Sequence, residues 1–163
     1  MAITFDEFLK TVEKDNQAFI QDMHVMFLKY GCKLEIKQAK LGYITTYVYT
    51  INKKRVALMN YVFRKSGMKV RIYARHIGLY QSLLDSLAED MKKSVMEADD
   101  CKRLTGVSEC SPTCIAGYAF MMDGISYKKC KHHAFFWEVE PSNQAIIEKM
   151  LAYELNFIEV DKR

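Results

Sequence analysis

The sequence predicts an α+β fold: an antiparallel sheet, made of a four-stranded meander plus a later hairpin, with helices packed mainly on one face. Three observations predict it. Helical spacing of apolar residues opens and closes the chain, two-residue alternation with short turns fills residues 32–73, and Asp123-Gly124 marks a separate hairpin. Short connections join antiparallel neighbours, because parallel strands need long crossovers.

Thr4 followed by Glu7 is a capping-box pattern, so a helix starts at Phe5 and places Phe5, Phe8, Leu9 and Val12 on one face. Asp15 and Asn16 either continue it or cap a second helix carrying Phe19, Ile20, Met23, Phe27 and Tyr30. Gly31 is a natural stop. From Cys32 the period becomes two, with Leu34 and Ile36 alternating with Lys33, Glu35 and Lys37. Residues 43–51 are almost all β-branched or tyrosine, the composition of a strand. Asn52-Lys53-Lys54 turns the chain into a third strand over 55–63, and Lys65-Ser66-Gly67 into a fourth over 68–73.

After His76, the residues Leu79, Leu83, Leu84 and Leu87 fit a helical face that continues through Met91, Val95 and Met96 to Asp99-Asp100. Residues 101–117 read as a cysteine-bearing loop. Strands over 118–122 and 125–129 flank the Asp-Gly turn, and a further strand covers 134–139. Pro141-Ser142 then introduces a last helix through Ile146, Ile147, Met150, Leu151 and Leu155.

At 163 residues, half of them hydrophobic, the chain is expected to form a single domain over 1–163. Its two prolines and seven glycines leave no linker-like tract. The start of the chain lacks the basic residues and apolar run of a secretory signal. The longest stretch free of charge and histidine, residues 110–122, falls well short of the ~18 residues of a membrane span. A cytoplasmic chain without a membrane partner is therefore expected, in a compartment where thiols stay reduced. Five cysteines there point to metal, catalysis or burial before disulfides.

Four of the five follow the pattern Cys101-x8-Cys110-x3-Cys114-x15-Cys130. Zinc takes four soft ligands in a tetrahedron, usually with two of them close together on a tight turn. Cys110-Ser111-Pro112-Thr113-Cys114 supplies such a turn, with Cys101 and Cys130 to close the site and His132 and His133 as nearby alternates. Lys102, Arg103, Lys128, Lys129 and Lys131 would offset the negative charge of a thiolate centre, and would equally activate a reactive thiol. Structural zinc, buried free thiols, and disulfide or redox use all remain open readings of this pattern. No catalytic signature surrounds the cysteines, and Cys32 reads as a small buried residue.

The string Cys101-Lys102-Arg103-Leu104, then residues 110–114, Gly117-Tyr118 and Tyr127-Lys128-Lys129-Cys130, resembles a family of small uncharacterised bacterial proteins. Residues 70–76 and Tyr61-Val62-Phe63 resemble the same family. The likeness spans roughly residues 31–137 and implies that the four cysteines belong to one unit. It implies no activity.

Charge is unevenly spread. Net charge is +4, yet twelve Lys and Arg between Lys29 and Arg75 face a single acidic residue, Glu35. Such asymmetry suggests an anionic partner. Tyr43, Thr45, Tyr47 and Tyr49 share one strand face, so Tyr47 and Tyr49 beside Lys54, Arg55, Arg71 and Arg75 would stack bases or grip an anionic small molecule. The competing reading is that the tyrosines pack and the lysines solvate an edge. Phosphate-loop, dinucleotide-binding, nucleophile-elbow and HExxH motifs are all missing. The sequence thus points to a non-enzymatic binding domain with a cysteine–zinc site that recognises an anionic small molecule or nucleic acid. A thiol-based redox or metal-sensing protein is the alternative.

Overall fold

The computed structural model describes residues 2–107, 110–114 and 116–162, and within them the α+β class holds. In chain order come α1 (Phe5–Leu9), α2 (Lys14–Lys29), β1 (Lys33–Gln38), β2 (Tyr43–Ile51), β3 (Lys54–Arg64) and β4 (Gly67–Ile72). These are followed by α3 (Ile77–Tyr80), a 3-10 helix (Gln81–Ser86), α4 (Glu89–Glu97) and α5 (Lys102–Thr105). The chain ends with β5 (Tyr118–Met122), β6 (Ile125–Lys129), β7 (Phe136–Glu138) and α6 (Pro141–Asp161). A five-stranded antiparallel sheet has the order β1-β2-β3-β4-β7, and β5-β6 form a separate two-stranded hairpin. Two compact units result, residues 2–72 with 138–162, and residues 73–137.

The first unit follows its local signals closely. The capping box closes at Thr4, whose hydroxyl accepts from the Glu7 amide while the Glu7 carboxylate accepts from the Thr4 amide at 2.7 Å. Asn52 and Lys53 both take positive φ, which gives the tight β2–β3 connection a twist that suits the strands. Register sets Tyr47 opposite Met59 and Thr45 opposite Tyr61, with Tyr61 in turn opposite Val70. These residues form the face covered by α1 and α2. Phe8 stacks on Tyr61 at 5.9 Å, Phe27 meets Tyr47 at 4.4 Å, and Tyr47 and Tyr61 meet edge to face. Helix α2 contributes Phe19, Ile20 and Met23, and α6 contributes Ile147, Met150, Leu151 and Leu155 to the buried set.

A polar clasp positions α6. Buried Asn16 donates to the Val139 carbonyl at 2.9 Å and accepts from Gln144 at 2.9 Å, while Asn143 donates to the Glu138 carbonyl at 3.0 Å. Each bond satisfies a carbonyl or amide that would otherwise be stranded beside the core.

The second unit departs from the sequence reading at α5, which forms inside the expected loop over 101–117, and in the segment after His76. The expected continuous helix after His76 breaks into α3, a 3-10 helix and α4, because Leu87 and Ala88 adopt extended backbone between the last two. The break lets consecutive Leu83 and Leu84 both be buried, which one helical stripe does less readily, and leaves Leu79 66% exposed. The Asp123-Gly124 turn forms as expected, with positive φ at both residues. Lys92 clamps its outer end, pairing with Asp123 at 2.9 Å, while the Asp123 amide donates to Asp85 at 2.8 Å. Among the described residues no helix is long and apolar enough to cross a membrane.

His24 ties the helix layer to the sheet. Its ring stacks on Phe5 at 3.8 Å, and its Nδ1 is hydrogen-bonded to the Tyr47 hydroxyl at 2.7 Å. Burial lowers the His24 pKa, partly countered by Asp6, and burial together with Cys32 holds the Tyr47 phenol above its ordinary range. With the ring proton on Nε2 the Tyr47 hydroxyl is the donor, and protonation of Nδ1 removes the acceptor of that buried hydroxyl. The His24 contribution to stability is therefore complete above the unfolded-state value of about 6.5 and is lost as pH falls below it. Thermal melts should show a smaller drop between pH 7.5 and pH 5 in His24→Gln than in the wild type. An equal drop would remove His24 from the pH response.

Candidate functional site

The site is built on the edge of the β5–β6 hairpin. Asp100 forms a bridge with Lys129, framed by hydrogen bonds from the Cys101 amide to the Lys128 carbonyl at 2.9 Å and from the Cys130 amide to the Asp99 carbonyl at 2.8 Å. Residues 99–101 thus run antiparallel to 128–130. Alternation sends the Asp100 and Lys129 side chains to one side and Cys101 and Cys130 to the other, as diagonal neighbours.

Lys129 fixes this arrangement. It is only 6% exposed, and its ammonium donates to the Met96 carbonyl at 2.9 Å, the Ala98 carbonyl at 2.8 Å and Asp100 at 2.9 Å. The two carbonyls are those that the end of α4 leaves without helical partners. The lysine run around Cys130 suggested charges that merely offset thiolates, and Lys129 has this different role. Only Lys102 and Lys131 of that group line the thiol cleft.

Gly117 closes the inner wall. Its amide donates to Cys101 Sγ at 3.2 Å, and a Cβ placed on it would lie 2.0 Å from the Lys129 carbonyl oxygen and 3.0 Å from Cys101 Cβ. Nothing larger than glycine fits there. Burial raises the Cys101 pKa, yet the nearby amides of Leu104, Gly117 and Arg103 and the Arg103 charge outweigh it and leave the thiol below its ordinary value. Cys114 ends a turn in which its amide donates to Ser111 at 3.0 Å, and Arg103 donates to the same Ser111 carbonyl at 2.9 Å. The Ser111–Cys114 turn is thereby tied to α5. Ser108, Glu109 and Ile115, which the sequence assigns to this loop, lie outside the described residues.

Cys101, Cys110, Cys114 and Cys130 all line one cavity of about 700 Å³, together with Asp99, Lys102, His132 and His133. Among the described residues, however, no three Cys, His, Asp or Glu side chains already stand where one ion could be held. The four share a cleft without meeting at a point. All are reduced: Cys101 is buried, Cys114 and Cys130 are half-buried, and Cys110 is exposed. Cys32 lies apart in the first unit, where burial pushes its thiol up to about 11.

No known protein family, curated protein or solved structure matches this chain. The functional reading therefore rests on the geometry of the chain itself.

The residues picked for an anionic ligand are dispersed. Lys54 is exposed next to the tight turn, and Arg55 donates from Nε and Nη2 to the two carboxylate oxygens of Glu35. Arg71 donates to Asn60 at 3.1 Å. Arg75 belongs to the second unit and lies over the Tyr73 ring at 5.5 Å, while Tyr73 meets His132 edge-on. Tyr47 is fully buried and Tyr49 is 4% exposed, so their rings serve the core and offer no stacking platform. Alternation told which tyrosines share a face, and the helices decided that this face is the inner one.

The Lys129 clamp carries a direct test. Lys129→Met should lower stability by about 1–3 kcal/mol, the cost of stranding buried carbonyls. Urea unfolding monitored at Trp137, which is buried in the same unit, reads it out. An unchanged midpoint would show that water or a neighbouring side chain takes over those oxygens.

Proposed function

We propose that this protein is a non-enzymatic binding module whose cysteine-rich unit holds a soft divalent cation, zinc above all. The observation that carries the reading is the shared cleft of Cys101, Cys110, Cys114 and Cys130. Four thiols from a loop, a turn and a hairpin edge meet in one cavity although up to 29 residues separate them. The donor chemistry suits a thiophilic ion, and the amides of Leu104, Gly117 and Arg103 favour the ionised Cys101 sulfur that such an ion needs. Zinc would be held by these cysteines and would serve to hold loop and hairpin together rather than to catalyse. A redox or metal-sensing role of the same thiols is the alternative, favoured by the exposure of Cys110 and the lowered pKa of Cys101.

The purified full chain should retain about one zinc ion and lose thermal stability with a chelator, since metal binding is coupled to folding. Cys114→Ser should lose the same stability without chelator. A chain that retains no zinc yet gains a reversible disulfide under mild oxidant would favour the redox alternative.

A second reading is supported by the charge of the Lys29–Arg75 segment. Exposed Lys33 and Lys37 on β1 and Lys53 and Lys54 at the β2–β3 turn favour an anionic partner, a nucleic acid or a small anion, on the sheet side of the first unit. Nucleic-acid binding through these lysines would weaken steeply as salt rises, and Lys54→Ala would weaken it alike for all sequences. Filter binding to single and double strands at low salt tests this, and no retention of either would leave a small anion as the only partner of this reading.

A further inference from the structure

The thiol cleft also holds a donor of another kind. His133 lines it, and His133 Nδ1 stands 2.8 Å from Asp99 Oδ2. An ionised carboxylate only accepts, so it places the ring proton on Nδ1 and leaves the lone pair on Nε2. Carboxylates orient metal-binding imidazoles in this way. The backbone brings His133 back beside Cys130. The His133 and Ala134 amides donate to the Cys130 carbonyl at 3.0 and 2.9 Å, so Cys130-x2-His133 forms a tight turn carrying two donors. Zinc sites commonly take two ligands from such closely spaced pairs.

Charge and orientation separate His133 from its competitor for the same place. Cys110 and His133 are both exposed, but Asp99 already holds the imidazole at 2.8 Å, whereas placing Cys110 on an ion means ordering its side chain afresh. Four thiolates on a divalent ion would total about −2 beside the Asp99 carboxylate, whereas three thiolates and an imidazole total about −1. A neutral ring between carboxylate and ion also separates like charges.

Resting on the reading of this cleft as a metal site, we propose that His133, oriented by Asp99, takes the fourth place on the ion with Cys101, Cys114 and Cys130. Cys110 is then dispensable for binding. Asp99 acts as a positioning residue, since it reaches the ion only through the imidazole.

The test is titration of the metal-free full chain with Co²⁺, followed by displacement with Zn²⁺. Cys110→Ser should keep the wild-type cobalt spectrum and zinc affinity. Asp99→Ala should weaken zinc about 10–100-fold while keeping the band positions. His133→Ala should weaken it further and shift the ligand-field bands. In the wild type, zinc should move the ¹⁵N resonance of His133 Nε2 and leave Nδ1 protonated, which needs no variant. His133→Ala with an unchanged cobalt spectrum, beside an altered one in Cys110→Ser, would overturn the proposal and leave an all-thiolate metal site standing. A wild-type chain that takes up neither ion would overturn the metal reading itself, and this proposal with it.

Discussion

The Lys129 ammonium sits among three oxygens, two of them carbonyls from the end of α4 and the turn after it. Such charge-assisted bonds are stronger than neutral ones where they are shielded from water. The ammonium also opposes the negative end of the α4 dipole. More follows from this contact than stability. By drawing residues 96–100 down onto β6, it lays residues 99–101 against the hairpin and sets the register of the Asp100–Lys129 bridge. That register alone decides that Cys101 and Cys130 share a side. A slip of one residue would send Cys101 to the opposite side, because side chains alternate. Gly117 depends on the same register, since its missing Cβ is what allows the Lys129 carbonyl to come so near.

The first unit is organised by aromatic packing rather than by charge. Tyr47 and Tyr61 fill the inner face of the sheet, and Phe8 and Phe27 close over them. Tyr47 keeps a polar partner through His24, so its hydroxyl can be buried without the penalty of an unmade bond. The basic residues of the same strands are left to turns, edges and the outer face. Lys33 and Lys37 on edge strand β1 also oppose strand addition there. Any anionic partner would therefore be met by amines and guanidinium groups without stacking on Tyr47 or Tyr49.

Most of the fold was legible because its signals are local. Thr4 and Glu7, the alternation within β1 and β2, Asn52-Lys53 and Asp123-Gly124 each specify the backbone from neighbours in sequence. The break at Leu87 was not legible, since the spacing of Leu83, Leu84 and Leu87 suits a continuous helix as well as a 3-10 turn. That the four cysteines line one cleft agrees with their spacing, whereas the geometry of the cleft was illegible. Cysteine spacing grouped the four thiols, yet nothing in the string Tyr127-Lys128-Lys129-Cys130 distinguishes the buried lysine from its exposed neighbour. Only the carbonyls at the end of α4, some thirty residues away, make that distinction. His133 carries the same lesson, because its pairing with Asp99 depends on a bridge between segments that the sequence does not show to be adjacent.

The thiols share a cleft without converging on a point, and physical chemistry gives the reason. Neutral thiols attract one another weakly, and ionised ones repel, so four free cysteines gain nothing by meeting. A divalent ion changes the sign of that balance by replacing mutual repulsion with four attractions to one centre. The fold's contribution is to shorten the search. Cys101 and Cys130 are placed by the bridge, the Ser111–Cys114 turn is tied to α5 by Arg103, and Asp99 holds His133 at the rim. An ion bound as proposed would have to order the side chains and the turn, which costs less than assembling the donors from an unfolded chain. Cys110 is exposed, so an oxidant reaches it before the buried Cys101. Metal occupancy and thiol oxidation would then compete for one set of sulfurs.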